Sequence, residues 1–133
     1  MRANELMIGD WIQIVEPCKY AGAIGRVKTL IDHKDDENAY FKVFLKNNTI
    51  HIGIEDICSD DIKPIPLTTE ILEKNGFVKE SRESFGNTLQ YCILTDGLWI
   101  DISGENFFEG KLEYVHQLQH VLRLCEIEKE IKL

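Results

Sequence analysis

Two prolines separated by a single residue, Pro64 and Pro66, constrain the fold of this chain more than any other feature of its sequence. Proline has no backbone N–H, holds φ near −65°, and disfavours helix for the residue before it. The segment therefore predicts an extended connection that interrupts regular structure. We expect the chain to form two units, residues 1–63 and 64–133, which pack together.

The half of the chain before the prolines has the pattern of short β-strands. Four segments are rich in apolar and β-branched residues: 11–15, 24–31, 40–45 and 49–54. The pair Asn47-Asn48 is typical of a hairpin turn. Four strands in so short a segment predict a small, strongly bent β-barrel or sandwich of the SH3-like size. Two charged segments are expected to be loops or turns: 32–38 and 55–63.

The half after the prolines combines helix and strand patterns. Thr68 is typical of a helix N-cap and Asn75-Gly76 of a helix end, so a short helix is predicted over 69–75. Three strands are predicted to follow it: 77–80, 89–95 and 98–102. Asp96-Gly97 is typical of a two-residue hairpin turn. Phe107 and Phe108 are expected to add a fourth strand.

Residues 113–125 have the spacing of an amphipathic helix. Six of their side chains fall on one arc at spacings of three and four residues: Tyr114, Val115, Leu118, Val121, Leu122 and Cys125. This arc is expected to pack on the sheet, and residues 126–133 are expected to continue the helix or form a short strand. The predicted fold class is α+β, with an N-terminal SH3-like small β-barrel followed by an α-β-β-α unit with an antiparallel sheet.

Charge and hydropathy exclude several classes of protein. The chain has 15 Lys and Arg residues against 23 Asp and Glu, a formal net charge of −8. Nucleic-acid affinity depends largely on clustered Lys and Arg, so this balance disfavours broad nucleic-acid binding. The longest stretch without a charged residue runs from Ser84 to Thr95, whereas a membrane-spanning helix needs about 20 apolar residues. The start lacks the pattern of a secretory signal, so we expect a cytoplasmic protein with no membrane partner.

The cysteines and tryptophans are expected to be structural. Four cysteines, at positions 18, 58, 92 and 125, are widely spaced without a C-x-x-C pair, which predicts reduced and mostly buried thiols. Buried thiols without a neighbour that lowers their pKa are inert. For Trp11 and Trp99 we expect positions in the core.

His116 and His120 form a pair with a metal-ligand spacing. They are four residues apart on the predicted last helix, and two imidazoles at this spacing can bind one zinc ion. However, Gln117 stands where the zinc-protease motif has Glu, and no third ligand follows at a recognisable distance. A helical wheel centred on Leu118 places both imidazoles nearly opposite the buried arc. We therefore expect them to face solvent or to contact a partner.

The segment GDWIQIVEPCKYAGAIGRVKTLID (9–32) resembles the KOW pattern of small SH3-like barrels. The resemblance is carried by Gly9-Asp10, by the alternating apolar residues and Lys19, and by the glycines that precede Arg26-Val27. It implies an SH3-like fold for this part of the chain. In KOW modules this loop often contacts RNA or a protein partner.

Nearly the whole chain is similar to a family of short, uncharacterised bacterial and prophage-type proteins. The similarity is carried by ELMIGDWI (5–12), PIPLTTEILEKNGF (64–77) and YVHQLQHVLRLC (114–125). No catalytic residue is implied by it. It draws attention to the polar groups of the last helix, among them Gln117 and Gln119.

The sequence contains no motif that specifies a reaction, so a binding module is favoured over an enzyme. We expect a non-enzymatic protein-interaction module associated with a phage or mobile element, with a protein partner and no cofactor. The candidate partner-binding residues are Lys19, Tyr20, Arg26, His116, Gln119 and His120. Two alternatives stay open. One is RNA or DNA binding through the KOW-like loop, and the other is a metal-dependent hydrolase that uses His116 and His120.

Overall fold

The chain divides into two compact units, Met1–Ile65 (unit 1) and Pro66–Leu133 (unit 2). The computed structural model describes residues 7–15, 22–31, 40–46, 51–58, 62–80, 88–104 and 106–133. Over these residues the fold is mixed α+β, with two sheets and two helices. None of the helices in these ranges is long and apolar enough to cross a membrane.

Unit 1 contains a five-stranded antiparallel sheet. Its strands are β1 (Trp11–Ile14), β2 (Ile24–Ile31), β3 (Tyr40–Lys46), β4 (His51–Cys58) and β5 (Ile62–Pro64). They are arranged in the order β4-β3-β2-β1-β5. The four strands predicted from the sequence are therefore confirmed. The predicted loop at 32–38 and the Asn47-Asn48 turn lie outside the described residues.

The prediction that residues 55–63 form only turns was wrong. Strand β4 continues to Cys58, and β5 pairs with β1 so that Ile12 lies opposite Pro64. Both β4 and β5 are edge strands of the sheet. Edge strands tolerate acidic residues, and they also tolerate proline because one side of the strand needs no hydrogen-bond donor. The features that suggested a turn are thus compatible with an edge position.

The start of β1 is fixed by the turn before it. Gly9 has φ of +93° and donates its N–H to the carbonyl of Val27 at 2.7 Å. Asp10 is fully buried, and its Oδ2 accepts the N–H of Met7 at 2.8 Å. These contacts place Ile12 and Ile14 in the core, where they are 0% and 1% exposed.

Unit 2 contains both helices and a four-stranded sheet. Its elements are α1 (Thr69–Lys74), β6 (Val78–Lys79), β7 (Leu89–Leu94), β8 (Gly97–Ile102), β9 (Phe108–Lys111) and α2 (Val115–Leu124). The sheet order is β6-β7-β8-β9. The predicted helices and strands of this half are confirmed, including the fourth strand. The sheet is not wholly antiparallel as expected, because β6 pairs with β7 in parallel.

The hairpin turn between β7 and β8 is displaced by one residue from its predicted position. Leu94 pairs with Gly97, so Thr95 and Asp96 form the turn and Gly97 is the first residue of β8. Gly97 has φ of +135°, a conformation that other residues rarely adopt. The glycine is therefore needed after the turn and not within it.

Helix α2 has the buried face that its sequence predicts. Val115, Leu118, Val121, Leu122 and Cys125 are all buried. At the N-terminus of the helix, Gln117 Oε1 accepts the backbone N–H groups of Glu113 and Tyr114 at 2.9 and 3.1 Å. This side chain satisfies donors that have no partner within the helix.

Helix α1 is capped at both ends as its sequence predicts. Thr68 Oγ1 accepts the N–H of Ile71 at 3.3 Å, and Gly76 follows the helix with φ of +87°. Within unit 2, Glu73 of α1 also accepts a hydrogen bond from the Tyr91 hydroxyl of β7 at 2.5 Å. This bond raises the pKa of Tyr91, and burial and the charge of Glu73 raise it further.

The C-terminal segment forms neither the helical extension nor the strand that were expected. Its backbone turns at Glu126, where φ is +59°, and then runs to a contact with the end of α1. There the Asn75 Nδ2 donates to the carbonyls of Ile71 and Lys132, both at 2.7 Å, while its Oδ1 accepts the Lys132 N–H at 2.7 Å. Ile131 is only 1% exposed, so the segment also contributes to the core.

Replacing Asn75 by alanine should destabilise unit 2 by about 2 kcal/mol, because three hydrogen bonds of a buried side chain are lost. Urea denaturation of the purified chain measures this change in free energy. Lys132→Ala is the matched control, since Asn75 contacts only backbone atoms of Lys132. Equal destabilisation by the two substitutions would contradict the proposed anchoring.

The Tyr91–Glu73 hydrogen bond should make stability depend on pH in the alkaline range. Because the pKa of Tyr91 is raised from 10.0 on folding, its contribution is complete below pH 10 and is lost as the pH rises through the raised value. At pH 8, Tyr91→Phe should lower the free energy of unfolding by about 1 kcal/mol.

Urea denaturation of the two proteins between pH 8 and about pH 11 tests this dependence. The difference between wild type and Tyr91→Phe should shrink with rising pH, since the other tyrosines titrate equally in both proteins. A difference that stays constant would show that the hydroxyl is not held by the carboxylate.

Candidate functional site

The described residues of unit 1 do not bring its candidate partner-binding residues together in one site. Lys19 and Tyr20 lie outside the described residues. Arg26 lies on β2 directly opposite Trp11 of β1, and its guanidinium carbon is 4.4 Å from the centre of the indole ring. Trp11 is 6% exposed, which confirms its predicted core position. The Arg26 side chain therefore packs over this core tryptophan through a cation–π contact.

The candidate residues of α2 are less accessible than their positions on the helical wheel suggested. His116 and Gln119 are 6% and 9% exposed, and His120 is half-buried. The His116 ring stacks on Tyr114 at 5.9 Å between centroids and meets His120 edge-on at 5.6 Å. The expectation that His116 faces solvent was wrong. That expectation assumed a helix with one buried face, whereas six of the ten residues of α2 are buried.

The described residues also supply no further ligands for the proposed metal site. In the ranges between residues 7 and 133 that the structure describes, no group of three or more His, Cys, Asp and Glu side chains is arranged to hold a metal ion. The metal-dependent hydrolase thus stays a hypothesis based on the spacing of His116 and His120 alone.

A more accessible set of candidate side chains lies on the sheet of unit 2. Side chains of a strand alternate between the two faces of its sheet. On one face, Tyr91, Ile100 and Ile102 are at most 3% exposed and belong to the core. The opposite face, which we call the outer face, is formed by side chains that are half-buried or exposed. They are Gln90, Cys92, Leu94, Trp99, Asp101, Glu109 and Lys111.

The strand register brings residues that are distant in sequence together on the outer face. Cys92 is paired with Trp99, and Asp101 is paired with Glu109. Glu80 reaches the same region from the end of β6, where its N–H donates to the Tyr91 carbonyl at 2.7 Å. Together with Leu94 these side chains line a groove of about 170 Å³.

The Cys92 thiol is half-buried beside acidic side chains. Burial raises the pKa of Cys92, and the charge and hydrogen bond of Glu80 raise it further, followed by the charges of Glu109 and Asp101. A thiol is a nucleophile only as the thiolate, so a raised pKa opposes covalent catalysis at neutral pH. This groove is therefore better suited to binding than to thiol chemistry.

Trp99 is the groove residue whose burial was predicted incorrectly from the sequence. It was expected in the core, but it is half-buried and lines the groove, with its Nε1 donating to Asp96 Oδ1 at 3.1 Å. The sequence did contain the signal. Leu98, Ile100 and Ile102 share one face by two-residue periodicity, which leaves Trp99 on the same face as Asp101.

Comparisons with known proteins give no relative for this chain. No protein-family model, no curated protein and no solved structure matches it.

Removing the negative charge of Glu80 should make Cys92 more reactive. In Glu80→Gln the charge that raises the Cys92 pKa is absent, so more thiolate is present at pH 8 and alkylation by iodoacetamide should be faster. Mass spectrometry of the modified peptides measures the rate at each cysteine.

Two controls accompany this measurement. Cys125, whose pKa is raised by burial alone, should react at an unchanged rate in the same sample. Glu128→Gln removes an equal charge from the C-terminal segment and should leave Cys92 unaffected. Unchanged alkylation of Cys92 in Glu80→Gln would mean that Glu80 does not control the thiol.

Proposed function

We propose that this chain is a non-enzymatic protein-interaction module, which binds a protein partner through the outer face of unit 2. The observation that carries the proposal is the groove of about 170 Å³ between Cys92, Trp99, Glu80 and the Asp101–Glu109 pair. Binding sites combine apolar and aromatic side chains with a few well-placed polar groups. The outer face has this composition, and its side chains are accessible to a partner.

Exposed apolar groups support the same surface. Leu94, which lines the groove, is 48% exposed, and Val78 of the neighbouring edge strand β6 is 40% exposed. Exposed apolar side chains with polar groups around them are typical of protein-binding sites. The groove accommodates only one or two side chains, so we expect a weak, transient complex.

We also infer that unit 1 is an SH3-like barrel. Its strand order, in which β5 returns to pair with β1 beside a β2-β3-β4 meander, supports this inference. Register shifts between Val27 and Thr29 and between Leu45 and Lys46 support the strong bending that such a barrel requires. SH3-like units commonly serve as interaction modules, although a fold alone does not define a partner.

Selection from a random peptide library against the immobilised full chain tests the proposed function. We expect related peptides with micromolar affinity, whose binding by isothermal titration calorimetry weakens about tenfold or more in Leu94→Asp. The reason is that a carboxylate replaces apolar contact area beside an already acidic groove.

Leu124→Asp is the matched control for the substitution at Leu94. Leu124 is 78% exposed at the end of α2 and is not among the residues that line the groove. Peptide binding should therefore persist in this variant. The proposal would be contradicted if the selected peptides bound both variants equally. It would also be contradicted if no peptide bound and the chain was retained on RNA or DNA.

A further inference from the structure

The outer face carries an excess of negative charge. Glu80, Asp101 and Glu109 all line the groove. Lys111 also belongs to the outer face, where it is paired with Trp99, but its Nζ is 3.6 Å from Glu113 Oε1, and neither residue lines the groove. Three carboxylates around one small groove repel each other, and a bound cation would relieve this repulsion.

Burial raises the pKa of Cys92, and the charges of Glu80, Glu109 and Asp101 raise it further. These three carboxylates belong to different strands or strand ends, yet all of them line the groove together with Cys92. A positive group placed near Cys92 would interact favourably with all three carboxylates.

The apolar part of the groove selects the kind of cation. Trp99 and Leu94 line the same groove as the carboxylates. Lys and Arg side chains have an aliphatic stem and a charged end, and a guanidinium also interacts well with an indole ring and with carboxylates. A bare metal ion would use the carboxylates but gain nothing from Trp99 and Leu94.

Other occupants of the groove are less complementary to its negative charge. A second copy of this chain, with a formal net charge of −8, would bring further acidic surface toward the groove. Nucleic acid would bring phosphates against three carboxylates, which is unfavourable. A basic segment of a protein partner has the complementary charge and the apolar stems.

We propose that the groove on the outer face binds an Arg or Lys side chain presented by a basic segment of a partner protein. This inference rests on the proposed function, since it identifies the chemistry of the partner for the same surface. The aliphatic stem lies against Trp99 and Leu94, and the charged end lies among Glu80, Asp101 and Glu109.

The peptides selected against the full chain provide the test. Arg and Lys should be enriched in peptides whose binding is lost in Leu94→Asp. In the strongest binder, replacing the essential Arg by citrulline, a neutral residue of nearly the same shape, should weaken binding about tenfold. If the essential residue is Lys, norleucine serves the same purpose.

Variants of the chain test the other side of the contact. Glu80→Gln and Glu109→Gln should each raise the Kd of the basic peptide about three- to fivefold, and the loss should be smaller at high salt. Glu128→Gln changes the net charge equally but lies outside the groove, so it should bind normally. Thermal unfolding of each variant verifies that it is folded.

The possible results separate the two proposals. If peptides bind through the outer face but lack Arg and Lys, or if citrulline and the Gln variants have no effect, the basic-partner inference is wrong and the interaction module stands. If no peptide binding depends on Leu94, both are wrong. Both proposals are supported by one pattern of results. The Arg peptide binds, citrulline abolishes this binding, and Glu109→Gln weakens it while Glu128→Gln does not.

Discussion

The two-residue alternation of the strands in unit 2 is the constraint on which the rest of this unit depends. Because successive side chains point to opposite faces, Tyr91, Ile100 and Ile102 can be buried only if Cys92, Trp99 and Asp101 are on the other side. A shift of one residue in register would expose the core residues. The core and the acidic groove are thus two results of the same register, and selection for the core also fixes the geometry of the groove.

Much of the local structure could be predicted from the sequence because its causes are local. Thr68 and Gly76 mark the ends of α1 through capping chemistry that involves only neighbouring residues. The buried arc of α2 follows from helical periodicity in the same way. Strand β5 was missed because it is defined by its pairing with β1, about 50 residues earlier in the chain, and local pattern carries no information on such pairing.

The candidate site was harder to predict for a related reason. Glu80, Cys92, Asp101 and Glu109 come from four strands or strand ends, and only the sheet order brings them together. His116 illustrates the opposite error, since a conspicuous sequence spacing turned out to belong to a buried and stacked side chain. For Trp99 the periodicity of its neighbours held the correct information, but the size of the residue suggested a core position.

The contact between Asn75 and Lys132 has a consequence for the order of events during synthesis. The two residues are 57 positions apart, so two of the three hydrogen bonds of the Asn75 side chain form only when residue 132 is present, whereas the bond to Ile71 is local. On the ribosome, helix α1 is synthesised well before residue 132 is added. Unit 2 therefore reaches its final hydrogen bonding only after residue 132 has left the exit tunnel, while unit 1 contains all of its own strands long before that time.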